Sequence, residues 1–132
     1  MCKNEKGFTF IELAIAMFVV ALVILGFMGA NTGIQKASEA AYQRTVALQD
    51  ANRVIELIRN VAVGGQFPAN VTAVYPNRSQ VAGFTNLPGE RVIVNYVNPA
   101  ADPLDVTVTI SWVENGIRNV NTELRTYVTQ ST

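Results

Sequence analysis

Apolar positions follow three different rhythms along this chain. From Leu13 to Ala30 they are continuous, and "LAIAMFVVALVILGFMGA" holds no charged residue over 18 positions. That is the length at which an apolar helix begins to span a bilayer. From Asn31 to Val63 they become periodic. Ile34, Ala37, Ala41, Leu48, Ala51, Ile55 and Ile58 fall near one stripe of a 3.6-residue repeat, and Lys36, Glu39, Arg44, Asp50, Arg53, Glu56 and Arg59 fall mostly elsewhere. No proline interrupts either stretch. One helix is therefore predicted from near Phe8 to near Val63, ended by Gly64-Gly65. It would run roughly 84 Å, against a hydrocarbon core of about 30 Å. Its second half must lie outside the membrane and pack through its stripe.

The third rhythm is alternation. "DVTVTISW" puts Val106, Val108, Ile110 and Trp112 on one face and Thr107, Thr109 and Ser111 on the other. "RVIVNYV", Arg91 to Val97, is β-branched and aromatic, and "NVNTELRTYV" carries Val120, Leu124 and Val128 on one face. The segment between the helix and these strands is broken by Pro68, Pro76 and Pro88, with a short strand expected around Val71 to Tyr75. "ENG" marks a hairpin. A two-residue Asn115-Gly116 turn would set Ile110 against Asn121 and Val108 against Glu123, core positions against polar ones. A three-residue loop, Glu114-Asn115-Gly116, sets Ile110 against Val120 and Val106 against Leu124 instead. The three-residue form is expected, with Gly116 left-handed. The apolar sheet face and the helix stripe imply each other, which gives an α+β fold: a long N-terminal helix packed by its second half on a small antiparallel sheet.

Composition removes several function classes. Lys+Arg and Asp+Glu balance at ten each, with no basic excess of the kind nucleic-acid binders carry. The 132 residues contain no histidine, the usual general base and commonest metal ligand, and one cysteine, Cys2. No intramolecular disulfide or zinc cluster can form. A lipid anchor on Cys2 would need an apolar run before it. A cleaved secretory signal ending near Gly29-Ala30 is opposed by Glu12 at the front of the apolar run. Asp102 and Asp105, in "AADPLD", are weak calcium candidates, since calcium takes six to eight oxygens and two carboxylates around a proline more often make a turn. Trp112 is expected to cap the core, with Arg118 stacked on it across the hairpin. Asn70 to Thr72 and Asn77 to Ser79 fit a glycosylation sequon and are read as chance matches. No cofactor and no enzymatic activity is expected.

"KGFTFIELAIAMFVVALVIL", Lys6 to Leu25, resembles the N-terminus of type IV prepilins and type II secretion pseudopilins. That family begins with a short charged leader ending in glycine, then phenylalanine, then glutamate at the fifth mature position before an apolar run. The resemblance implies a leader at 1–7 cut between Gly7 and Phe8 by a prepilin peptidase, N-methylation of Phe8, and an assembly role for Glu12. It divides the chain into 1–7 leader, 8–30 transmembrane and filament-core helix, 31–63 amphipathic continuation and 64–132 sheet head. Lys3 and Lys6 place the N-terminus on the cytoplasmic side. The head would then be periplasmic, with the inner membrane, other pilin or pseudopilin subunits and an inner-membrane assembly platform as partners. The carboxylate of Glu12 is expensive in hydrocarbon unless paired. A neighbouring subunit's Phe8 amine would pair it and set the axial register. Phe8 and Glu12 of one chain also share a helix face, so an internal pair is the competing arrangement.

Two family features are missing. The proline many major pilins carry about 22 residues into the mature chain is Gly29 here, and no cysteine remains for a C-terminal disulfide. The ending is similar to minor pilins of the PilV kind and to minor pseudopilins. The implied function is a minor pilin or pseudopilin. The alternative is a single-pass anchor carrying a periplasmic binding or scaffold domain that never polymerises.

Overall fold

The computed structural model of the protein describes residues 9–130. It is α+β: a long N-terminal helix, α1 (Phe10–Ala62), a one-and-a-half-turn helix α2 (Ala69–Val74), and four strands, β1 (Ser79–Val81), β2 (Arg91–Tyr96), β3 (Leu104–Glu114) and β4 (Arg118–Val128). The strands form one antiparallel sheet in the order β1-β2-β3-β4. The chain divides into two compact units, Met1–Ser38 and Glu39–Thr132, with α1 contributing to both.

In the second unit, α1 packs on the sheet. Its buried residues are Gln43, Ala47, Asp50, Ala51, Val54, Ile55, Ile58 and Ala62, an i, i+3, i+4 progression that makes one stripe. Ala51, Ile55 and Ile58 lie where the periodicity predicts. Ile34, Ala37, Ala41 and Leu48 do not: all four are exposed. The buried stripe differs from the apolar one because two of its positions, Gln43 and Asp50, are polar. Asp50 is buried and accepts both hydrogen bonds available from Asn86 Nδ2, at 3.1 and 2.9 Å. Gln43 Oε1 accepts the Trp112 indole N–H at 3.1 Å. A buried polar group is tolerated once it is paired, and these two pairs fix the rotation of α1 against the sheet.

The sheet face beneath α1 is Val92, Val94 and Tyr96 from β2 and Leu104, Val106, Val108, Ile110 and Trp112 from β3, all buried. Every second residue of β3 is buried, as the alternation predicts. β4 is an edge strand, and its same-parity residues Val120, Thr122, Leu124 and Thr126 are only half-buried.

Three details differ from the sequence-based expectation. The segment 71–75 is not a strand. Ala69–Val74 is the short helix α2, followed by Tyr75, whose N–H closes on the Val71 carbonyl at 2.8 Å. The β3–β4 loop does have three residues and does hold Gly116 at positive φ (70°), but the loop is Asn115-Gly116-Ile117. Glu114 pairs with Arg118, Trp112 opposes Val120, Ile110 opposes Thr122 and Val108 opposes Leu124. The shift of two residues keeps every side chain on its face, so alternation alone cannot distinguish the registers. What the observed register adds is an ion pair: Arg118 donates to Glu114 at 2.7 Å. Arg118 is thereby engaged away from the Trp112 ring, and the stacking expected between them does not form; the cation over a ring is Arg53, 5.9 Å from the Phe84 centroid.

Candidate processing and assembly motif

The first described residues, Thr9 to Leu13, start α1. Thr9 stands just outside the helix and Glu12 is three residues on. The Thr9 N–H donates to Glu12 Oε2 at 3.1 Å, the Thr9 hydroxyl donates to the same oxygen at 2.9 Å, and the Glu12 N–H donates back to Thr9 Oγ1 at 3.4 Å. The Leu13 N–H closes on the Thr9 carbonyl at 3.2 Å. This is a capping box: the Thr-x-x-Glu spacing satisfies helix-start N–H groups that have no partner within the helix. Reasoning from charge alone missed it, although "TFIE" before an apolar run is its sequence signature. The helix start thus holds the Glu12 carboxylate on its own chain, in the turn where the helix dipole favours a negative charge.

Beyond this cap, every residue from Thr9 to Glu39 is exposed. Phe10, Ile11, Phe18, Val23, Leu25 and Phe27 each leave about two thirds or more of their surface open. The helix is long and apolar enough to cross a membrane, and no residue of its most apolar 18-residue window is buried within the chain. An apolar segment this continuous and uncovered is not what a soluble fold leaves on its surface. A lipid bilayer or a bundle of like helices would cover it. Gly26, Gly29 and Gly33 have open space where a side chain would stand, so the helix surface is locally flat there.

Gly7 and Phe8, the cleavage and methylation positions, and Cys2 lie outside the described residues. Asp102 and Asp105 are brought to the start of β3, yet Asp105 is already occupied. Arg125, from β4, donates to it through Nε at 2.8 Å and also through Nη2, which holds the Asp105 carboxyl below the usual carboxylate range. A cation there would compete with a bidentate guanidinium. Asp102 is exposed in the β2–β3 connection. Among the described residues, no three Asp, Glu, Cys or His side chains come together in a metal-binding group.

Residues 2–28 match the family model of the prokaryotic N-terminal methylation motif. No curated protein and no solved structure matches the chain significantly. The methylation motif supports the type IV prepilin and pseudopilin family, and with it a processed, membrane-anchored structural subunit of pilin-like kind. The α+β layout of a long apolar helix and a four-stranded antiparallel sheet is also pilin-like.

Proposed function

We propose that this chain is a minor pilin or pseudopilin. A prepilin peptidase cuts it between Gly7 and Phe8 and methylates Phe8, and the subunit assembles into a filament through its apolar N-terminal helix. The observation that carries the reading is the coincidence of the methylation motif at 2–28 with a helix uncovered over its whole apolar length. In this reading 1–7 is the leader, 8–30 the membrane and filament-core segment, 31–63 its amphipathic continuation and 64–132 the head, held periplasmic after insertion. The filament is a pilus or a secretion pseudopilus, drawn from the inner membrane by an assembly platform.

Glu12 has two successive partners in this scheme. In the membrane-held subunit the cap with Thr9 satisfies its carboxylate. In the filament the cationic amine exposed at Phe8 of a neighbouring subunit supplies a full opposite charge in a low-dielectric setting, where an ion pair with hydrogen bonds is stronger than a neutral cap. Docking that amine fixes the axial step between subunits. Asp102 and Asp105 have no role here.

Intact mass after co-expression with a prepilin peptidase tests the pathway. The expected product lacks Met1 to Gly7 and carries one added methyl group. Glu12→Ala should leave cleavage unchanged and abolish incorporation into filaments. An unchanged mass beside an active peptidase would overturn the proposal. The second reading, a non-polymerising anchor with a binding domain, is favoured by the capping box itself, because a helix start gains from Glu12 whether or not it assembles. That reading requires normal function from uncleaved chain.

A further inference from the structure

The head contains a second carboxylate arrangement, unrelated to the N-terminal motif, where the segment 82–90 meets α1. Phe84 and Leu87 of this segment are buried in the core. Its polar groups converge on two acids. Asp50, on α1 and 5% exposed, receives Asn86 Nδ2 on both oxygens. Glu90 Oε2 receives the N–H of Asn86 at 2.8 Å and of Leu87 at 3.1 Å. A single asparagine therefore bridges a carboxylate of α1 and a carboxylate of the segment. The other Glu90 oxygen, Oε1, is fully buried and has no hydrogen-bond partner among the described residues. As an anion that oxygen is buried without a donor, and the Asp50 charge acts on its carboxylate. As a carboxylic acid Glu90 gains an O–H that can donate.

We propose that Glu90 is a proton-operated latch: in its neutral form it closes the segment 82–90 on α1 by donating Oε1–H to Asp50, and release of that proton to solvent loosens the segment. Among the described residues, no basic side chain forms a salt bridge with Glu90. On α1, Arg53 lies over the Phe84 ring. Arg91, next in the chain, opens β2 with an exposed side chain. On β3, Glu114 is acidic and tied to Arg118. Burial, reinforced by the Asp50 charge, raises the Glu90 carboxyl above the ordinary glutamate range; the hydrogen bonds from Leu87 and Asn86 oppose this. A carboxyl whose value is raised in the folded state contributes its full stabilisation below the unfolded value. That contribution is lost as pH rises through the folded value. The latch is therefore closed in acid and weakened towards alkaline pH. Its opening would loosen the two core plugs and the 2.8 Å bond from Val113 N–H to the Pro88 carbonyl, next to Trp112.

The test is a pH titration of the full chain in detergent micelles, following the Glu90 carboxyl carbon by NMR and the exchange protection of the Val113 amide, which donates to the Pro88 carbonyl. The expected midpoint lies above the ordinary glutamate range. Protection, corrected for intrinsic exchange, should fall several-fold as pH passes it. Glu90→Gln keeps an acceptor for the Asn86 and Leu87 amides and supplies a permanent N–H to Asp50, so protection should become independent of pH. Asp50→Asn should lower the Glu90 midpoint. A midpoint at the ordinary glutamate value in the unmodified chain would overturn the latch. So would a Glu90→Gln variant that keeps the original pH dependence.

Discussion

The two stretches of α1 on either side of Ser38 belong to one helix and obey opposite rules. Before it, the apolar residues, continuous as far as Ala30, are all exposed; after it, they are periodic and one stripe is buried under the sheet. Polar chemistry is divided in the same way. The first stretch has one acid, Glu12, tied locally to Thr9. The second places Gln43 and Asp50 within its buried stripe and connects each to a residue far away in sequence, Trp112 and Asn86. A helix that must find its partners outside the chain keeps its polar groups satisfied by itself. A helix that packs within its own fold can use buried polar groups to specify how it packs.

The sharpest way to break this contrast is one substitution made on both sides of it. Ile58→Ala removes a fully buried side chain and should destabilise the head by about 2–5 kcal/mol. Ile15→Ala makes the same chemical change at an exposed position and should leave head stability within about 0.5 kcal/mol. Chemical denaturation in detergent, followed by Trp112 fluorescence, measures both. Equal losses would show that the first stretch is buried within the chain after all.

A smaller effect is expected at the cap. Thr9→Ala removes the hydroxyl that donates to Glu12 and accepts its N–H. Local opening of the first helical turn should become easier by about 1 kcal/mol, seen as faster amide exchange at Phe10 to Leu13, with the head unchanged. If assembly exchanges Thr9 for a neighbour's amine, Thr9→Ala should preserve filaments where Glu12→Ala loses them.

The smallest effect concerns Asp105 and Arg125 on the solvent face of the sheet. Because Arg125 depresses the Asp105 carboxyl, the pair stabilises the head above the ordinary aspartate range and is lost as pH falls through the depressed value. A thermal-unfolding series in acid should show a slight decline that Asp105→Asn removes and high salt reduces. Its sign is opposite to that expected of Glu90, so the two can be separated in one titration.

Local pattern was enough for much of this protein. A charge-free run of 18 residues needs no fold to be recognised, because membrane crossing is a property of one segment and its solvent. The Gly-Phe-x-x-x-Glu order is equally local, as is the alternation of β3, since a strand with one buried face must change side at every residue. What only the tertiary structure decided are the choices between locally equivalent arrangements. Two hairpin registers differing by two residues present the same faces, and the Glu114–Arg118 pair that accompanies the observed one appears only once the loop has closed. Asp50 reads as a surface position, and Gln43 is absent from the predicted stripe, because a polar side chain is expensive to bury alone. They are buried because Asn86 and Trp112, distant in sequence, arrive with the matching donors. The sequence by itself determined that this chain carries a segment made for a membrane or a bundle of like helices. The packing of the head determined which of its polar groups became internal, and so which of them a proton can control.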